Sequence, residues 1–158
     1  MTHLTAGDLM NPDVLTVSAK WTVHELAKFF VEKAISGAPV ADEAGNVVGV
    51  VSLTDIARYE ASSNREMRAD APHDYYMHGW EQKLSAEDLS SFHIEEPVDT
   101  TVEDIMTRMV FKVKVTTPVK EIADIMIGGR VHRLLVTRNN RIVGIVTSLD
   151  LLKLIRNM

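Results

Sequence analysis

The sequence predicts an α+β protein built from two βαββα-type repeats with a long insert between them. The first observation is a duplicated string, Gly-Val-Val-Ser-Leu-Thr-Asp at residues 49–55 and Gly-Ile-Val-Thr-Ser-Leu-Asp at residues 144–150. Each copy starts with a glycine, continues as a short β-branched strand, and places an aspartate three residues after a hydroxyl side chain. The second observation is that the segments around both copies share one order of helices and strands, which indicates an internal repeat.

Capping residues, hydrophobic periodicity and turn residues predict the order helix, strand, helix, strand, strand, helix in the first repeat. Thr5 caps a short helix that ends at Met10. Thr22 and Glu25 form a capping box, and the apolar residues after them recur at helical spacing. A last helix starts after Ser52. The predicted strands cover 14–17, 38–41 and 47–51.

The second repeat shows the same order at an offset of 96 residues, which becomes 95 after a shorter turn at 139–141. Thr101 caps a short helix that ends at Met106. Thr117 caps the next helix, with Pro118 at its first position, where a missing N–H is harmless. The predicted strands cover 110–113, 132–136 and 142–146, and the last helix runs over 148–156.

Composition and charge limit the classes of function. The chain has 158 residues and no cysteine, which excludes disulfides and thiolate catalysis. It shows neither a signal peptide nor an apolar run of the roughly 20 residues that span a membrane, so we expect a soluble cytoplasmic protein. Its net charge is −5, and the acidic middle argues against nucleic acid as a partner. The last third is basic, with ten Lys and Arg against five Asp and Glu, which suits an anionic small molecule.

The insert at residues 60–100 is acidic but contains an aromatic string from Tyr75 to Trp80. A connection of this length is usually functional, and its aromatic residues indicate that part of it packs on the protein. We leave three interpretations open: a surface excursion, a lid over a ligand site, and a segment that binds a partner. Ser85 is a candidate cap for a helical turn in this insert.

The repeated unit resembles a pair of cystathionine-β-synthase (CBS) domains. The resemblance rests on the order, spacing and duplication of short strings at residues 8–10, 36–40 and 49–55, and again at 104–106, 132–136 and 144–150. It covers both repeats, about three quarters of the chain. The expected division is therefore a first repeat at 1–59, an insert at 60–100 and a second repeat at 101–158.

This resemblance implies a fold and a ligand class. Such repeats pack about a pseudo-two-fold axis, and many pairs bind AMP, ADP, ATP or an adenosyl ligand such as S-adenosylmethionine in clefts between the repeats. Two pairs often form a homodimer. The family's Ser/Thr-x-x-Asp motif places the hydroxyl near phosphate and the aspartate on ribose. At the matching positions this sequence has Ser52 with Asp55, and Thr147 with Asp150.

General chemistry allows two interpretations of these motifs. A helix N-terminus offers N–H groups to phosphate, and a carboxylate one turn later can accept hydrogen bonds from ribose hydroxyls. The same pattern is also a capping box, which stabilises a helix by about 1 kcal/mol without any ligand. Both interpretations remain open at this point.

Other candidate ligand contacts differ between the repeats. Thr16 in the first repeat corresponds to Lys112 in the second. The first repeat has a small edge at residues 36–38, which leaves room for a flat base. The second has His132, which could stack on a base, and Arg133, which could bind phosphate in a bidentate manner. Alternatively, these larger side chains close the second site. The full candidate set is Thr16, Ser36, Gly37, Ala38, Pro39, Ser52, Asp55, Lys112, His132, Arg133, Thr147 and Asp150.

We therefore predict a stand-alone regulatory module and not an enzyme. An adenine nucleotide or adenosyl ligand would favour one conformation, and a regulated protein would recognise that conformation. We expect a homodimer, with no metal requirement and no nucleic-acid or membrane partner. Two alternatives remain: a scaffold protein whose clefts are filled by its own side chains, and an enzyme that uses Tyr75, His78 and His93.

Overall fold

The computed structural model describes residues 3–60, 74–77 and 100–158, which form two compact units. The first-sheet unit holds residues 15–60 and 100–109, and the second-sheet unit holds residues 3–14, 74–77 and 110–158. The helices are α1 Ala6–Leu9, α2 Val23–Lys33, α3 Leu53–Glu60, α4 Asp74–Met77, α5 Val102–Ile105, α6 Val119–Gly129 and α7 Ser148–Arg156. The strands are β1 Val17–Ser18, β2 Gly37–Ala41, β3 Val47–Ser52, β4 Lys112–Lys114, β5 Arg133–Arg138 and β6 Arg141–Thr147.

The two units contain sheets of the same topology. In the first-sheet unit β2 is central, parallel to β1 and antiparallel to β3. In the second-sheet unit β5 is central, parallel to β4 and antiparallel to β6. The register shifts at equivalent places, after Val40 in β2 and after Val136 in β5. The predicted α+β class and the duplication are confirmed.

Amphipathic helices cover the sheets and form the cores. In the first-sheet unit, Val23, Leu26 and Phe30 lie on one face of α2 and are fully buried in a core that also contains Val40 and Ile56. Burying each of these side chains contributes about 1.5–3 kcal/mol before the entropy cost of ordering it. In the second-sheet unit, the equivalent positions include Ile122 and Met126 of α6 and the buried strand residues Leu134, Leu135, Val136 and Val146.

Caps and turns delimit the elements. Thr22 and Glu25 form the predicted capping box, with the Glu25 N–H donating to Thr22 Oγ1 over 3.1 Å. The helices α2 and α6 both end in left-handed residues, Ala34 with φ 55° and Arg130 with φ 54°. The shorter hairpin of the second repeat turns through Asn139 and Asn140, which both have positive φ, as a two-residue type I′ turn requires.

Each short helix packs in the unit that contains the other repeat's sheet. In the second-sheet unit, Ala6 of α1 donates its N–H to the carbonyl of Thr117 over 2.8 Å. In the first-sheet unit, Val102 of α5 donates its N–H to the carbonyl of Trp21 over 2.8 Å. The predicted divisions at 59/60 and 100/101 therefore describe the sequence repeat, while each compact unit combines parts of both repeats.

Two local predictions were wrong. The first strand starts at Val17 and not at residue 14. The residue before it, Thr16, would lie beside Pro39, which has no N–H for the ladder, so the proline accounts for the exclusion of this one residue. In the second repeat Leu135 takes the place of this proline, and its N–H donates to the Phe111 carbonyl over 3.1 Å. Even so, β4 starts at Lys112, later than the predicted residue 110.

The cap of α6 also differs from the prediction. Pro118 is the residue at the N-cap, and Thr117 does not cap the helix. The Thr117 hydroxyl instead accepts the N–H of Lys114 over 3.0 Å in the turn before the helix. The Thr117 side chain thus stabilises the turn before α6, a local side-chain contact that competes with helix capping.

Candidate functional site

The first-repeat site residues meet at one edge of the first sheet. Gly37 at the start of β2 pairs with Ser52 at the end of β3. Ser36 comes just before β2, and its carbonyl accepts the N–H of Leu53, the first residue of α3, over 2.9 Å. The small strand edge and the N-terminus of α3 are therefore adjacent, as a site for a flat base beside a phosphate would require.

Behind this edge the remaining first-repeat candidates have different environments. Ala38 and Pro39 are buried within β2 and form part of the sheet's packing. Thr16 precedes β1 and is exposed. Thr16 is therefore accessible to a ligand, whereas Ala38 and Pro39 shape the edge from inside.

Ser52 and Asp55 form a reciprocal capping pair at the start of α3. The Ser52 N–H donates to Asp55 Oδ2 over 2.9 Å, and the Asp55 N–H donates to Ser52 Oγ over 3.4 Å. Ser52 is 1% exposed and Asp55 is 6% exposed. The capping interpretation is thus realised in the first repeat, and the carboxylate lies in a buried position.

The second-repeat site residues meet in the same way in the second sheet. Arg133 at the start of β5 pairs with Thr147 at the end of β6, and the Ser148 N–H donates to the His132 carbonyl over 2.9 Å. The Thr147 N–H donates to Asp150 Oδ2 over 2.8 Å, and the Asp150 N–H donates to Thr147 Oγ1 over 3.3 Å. Unlike their first-repeat counterparts, Thr147 and Asp150 are only half-buried.

Lys112 is directed away from this edge. Its ammonium donates to Asn140 Oδ1 over 2.6 Å. Asn140 lies in the turn after β5, whereas Arg133 is the first residue of that strand. The structure therefore brings together His132, Arg133, Thr147 and Asp150, and places the Lys112 ammonium at the hairpin turn.

The insert contributes a helical turn, α4, that covers the second-repeat edge. Its residues Tyr75 and Tyr76, named here the tyrosine pair, are 3% and 0% exposed. The Tyr76 carbonyl accepts the His132 N–H over 2.9 Å, and Tyr76 Oη accepts the Phe111 N–H over 3.0 Å. The Arg133 guanidinium carbon lies 4.7 Å from the centroid of the Tyr75 ring. The aromatic string indicated packing, but nothing in the sequence indicated this position.

Burial dominates the electrostatics of the tyrosine pair. It raises the pKa of Tyr75, although the neighbouring Arg133 charge and its hydrogen bond act in the opposite direction. Burial also raises the pKa of Tyr76, and the Phe111 N–H opposes this shift. Both phenols therefore stay protonated at neutral pH, and Tyr75 presents a neutral ring to the Arg133 cation.

Three further points from the sequence concern metal binding, membrane spans and the remaining insert residues. Within residues 3–60, 74–77 and 100–158, no cluster of three or more His, Cys, Asp or Glu side chains could hold a metal ion. Across the same residues, the helices are too short or too polar to cross a membrane. His78, His93 and Ser85 lie outside the described residues.

Comparison with known proteins identifies the family. The CBS domain family model matches residues 6–62 and again residues 102–157, so the chain belongs to the CBS domain family. The predicted resemblance is confirmed. An uncharacterized protein of Methanocaldococcus jannaschii is 32% identical over 154 residues, which are 97% of this chain. This chain spans only 40% of that relative's length.

Solved structures of CBS domain pairs share the fold. One is the CBS domain pair of protein MJ0100 in complex with 5-methylthioadenosine and S-adenosyl-L-methionine, with a TM-score of 0.62, 24% identity, and coverage of 99% of this chain and 98% of that chain. Another is CBSX2 in complex with AMP, with a TM-score of 0.63, 22% identity, and coverage of 97% of this chain and 96% of that chain. At these identities the likeness establishes the fold.

Proposed function

We propose that this protein is a regulatory module that binds an adenine nucleotide or an adenosyl ligand at the Ser/Thr-x-x-Asp positions. One observation carries the proposal. In each sheet a strand edge, a hydroxyl and a carboxylate meet at the start of a helix, through the pairs Gly37–Ser52 and Arg133–Thr147. This arrangement supports the proposal, because each sheet offers groups suited to a base, a phosphate and a ribose at one edge.

The capping geometry is compatible with ligand binding in the second repeat. Within the described part of the chain, the hydrogen bonds to the Asp150 carboxylate from Thr147 fall on Oδ2. A carboxylate can accept about four hydrogen bonds, so Oδ1 of Asp150 retains capacity for ribose hydroxyls. Capping and ribose binding therefore do not compete for the same oxygen.

Two features support the ligand class. The second-sheet unit contributes Arg133 at the edge, and guanidinium groups bind phosphate in a bidentate manner. The two similar CBS domain pairs were solved with AMP and with adenosyl compounds. Their ligands define the compounds that a binding experiment on this protein must include.

We further propose that the module acts as a homodimer on a regulated protein. The helices α6 and α7 pack against each other in the second-sheet unit and expose apolar side chains. Ile127 is 76% exposed, Leu152 57% and Ile155 62%. Apolar side chains grouped on contacting helices are typical of a surface that is covered in an assembly. Ligand binding would shift the population of one conformation, which the partner recognises.

The burial of Ser52 and Asp55 favours a second candidate function, a scaffold protein that binds no nucleotide. Isothermal titration calorimetry with AMP, ATP and S-adenosylmethionine separates the two functions. We expect at least one ligand to bind, and either Asp55→Ala or Asp150→Ala to weaken it by about 10–100-fold, as loss of a charged hydrogen bond requires. Thr22→Ala, which removes a cap distant from both motifs in sequence, is the control. Lack of binding by all three ligands would favour the scaffold.

A further inference from the structure

The two repeats differ in the contacts of an apolar residue that comes shortly before the first strand of each sheet. Phe111 precedes β4 and packs edge-on against Tyr76, with the ring centroids 4.9 Å apart. The equivalent residue of the first repeat is Leu15, which is 44% exposed. Among the described residues, the tyrosine pair therefore covers the second-repeat edge and has no counterpart at Leu15, although the two sheets share one topology.

The tyrosine pair makes the types of contact that a nucleobase makes with a protein. The Tyr76 carbonyl accepts the backbone N–H of His132 over 2.9 Å, as a ring nitrogen of a base would. The Tyr75 ring lies 4.7 Å from the guanidinium carbon of Arg133, and arginine planes stack on bases in the same manner. One acceptor and one flat ring thus lie against His132 and Arg133, two of the residues at the edge where the ligand is proposed to bind.

We propose that the tyrosine pair is a built-in occupant of the second-repeat ligand position, which a nucleotide gains only by displacing it. This inference rests on the proposed function for the identity of the ligand. The contacts of the tyrosine pair with His132 and Arg133 are present without a ligand, so they can be tested without a nucleotide. The first repeat would then bind ligand at lower concentrations than the second.

The fit of the occupant is incomplete, which makes displacement by an anionic ligand chemically reasonable. Arg133 Nε is buried and has no acceptor among the described residues. The Tyr75 ring stacks on the Arg133 guanidinium but supplies no anionic oxygen to the Nε donor. A phosphate oxygen would supply one, so a nucleotide can replace the ring and also complete the donor's hydrogen bonding.

Calorimetric titration of the full chain with ATP tests the displacement. Tyr75→Ala removes the ring, and Tyr75→Phe is the matched control that keeps the ring on Arg133 and removes only the hydroxyl group with its hydrogen bond to Arg133. If the position is open in about 1–10% of molecules, Tyr75→Ala should raise ATP affinity at the second repeat by about 10–100-fold, and Tyr75→Phe should raise it much less. Adding Asp150→Ala should abolish the gained binding, and adding Asp55→Ala should not. Equal stoichiometry and affinity in the wild type and Tyr75→Ala would overturn this inference alone.

Hydrogen exchange of the free protein tests the contact without a ligand. The His132 amide should exchange slowly in the wild type and in Tyr75→Phe, and at least about ten-fold faster in Tyr75→Ala. Unprotected exchange at His132 in the wild type would overturn the inference, even if Tyr75→Ala does not fold. ATP binding to none of the variants would overturn the proposed function, and with it the ligand assigned to this position.

Discussion

The side chain of Met10 lies on Gly144: a Cβ at Gly144 would be 2.5 Å from Met10 Sδ and 2.9 Å from Met10 Cβ. The first-sheet unit has the same arrangement, since a Cβ at Gly49 would be 2.9 Å from Met106 Sδ. Each glycine opens one copy of the duplicated string, and each methionine follows the short helix of the other repeat. The glycines therefore have a packing function: without a Cβ, each leaves room for the methionine that follows the short helix of the other repeat.

Gly49→Ala and Gly144→Ala should each lower the free energy of unfolding by about 1–3 kcal/mol, the usual cost of overpacking. Gly49→Ala should be the more costly, because its Cβ would lie 2.6 Å from the backbone oxygen of Thr107, which cannot rotate away as a side chain can. Chemical denaturation with an unchanged m-value measures both effects.

The matched control for the glycine variants is Gly128→Ala in α6. A Cβ at Gly128 would meet nothing within 4 Å, and alanine is favoured over glycine in a helix by roughly 0.5–1 kcal/mol. We expect this variant to be as stable as the wild type or slightly more stable. Equal effects of all three substitutions would contradict the packing function of Gly49 and Gly144.

This relationship shows what the sequence could and could not predict. The repeat, its element order and the capping boxes at Thr22 and Thr147 followed from spacing, because capping and periodicity are local properties. The packing of α1 and α5 in the unit that contains the other repeat's sheet did not follow from spacing. The offset of 96 residues is the same whichever sheet a short helix packs on. The exclusion of Thr16 from β1 was predictable in principle, since Pro39 beside it cannot donate to a ladder.

The candidate site was predictable only in part. The pairings of Gly37 with Ser52 and Arg133 with Thr147 follow from a hairpin whose ends meet where the next helix begins. The position of Tyr76 does not follow, because its hydroxyl meets a backbone N–H 35 residues further along the chain. Only the three-dimensional packing of the insert decides such a contact. The ligand-binding roles of these residues remain predictions.

The raised pKa of Tyr76 makes the free energy of unfolding fall in alkaline solution. Tyr76 stays protonated in the folded protein above its usual pKa of 10.0, whereas the unfolded chain loses this proton there. The stability contributed by the neutral phenol is therefore complete below pH 10 and is lost as the pH rises further. The expected slope is about 1.4 kcal/mol per pH unit for one group.

Urea denaturation across the alkaline range, for the wild type and Tyr76→Phe, measures this slope. Tyr76→Phe should lower stability by about 1–3 kcal/mol at neutral pH, since the half-buried Phe111 N–H loses its acceptor. The variant should also lose part of the alkaline slope, because phenylalanine does not titrate. An identical slope in both proteins would show that Tyr76 does not stay protonated in the folded state.

Leu152→Glu should dissociate the proposed homodimer. Leu152 and Ile155 are three residues apart on α7 and therefore share a face of that helix. A carboxylate placed in an apolar interface has no partner and carries a large desolvation cost. Sedimentation velocity should give a dimer for the wild type and a monomer for the variant.

The control for the dimer prediction is Met109→Glu. Met109 is 70% exposed and belongs to the first-sheet unit, whereas α6 and α7 belong to the second-sheet unit. This variant should sediment as the wild type does. A wild-type monomer, or a dimer that persists in Leu152→Glu, would contradict the assignment of this surface.

Thermal melting with and without AMP, ATP and S-adenosylmethionine tests the central claim most directly. A ligand at about 100 times its Kd adds about 2.7 kcal/mol, which for a chain of this size raises Tm by roughly 5–10 °C. We predict this shift for at least one ligand, its loss in Asp55→Ala or Asp150→Ala, and its retention in Thr22→Ala. No shift with any ligand, or an equal shift in all variants, would mean that the two aspartates are helix caps and nothing more.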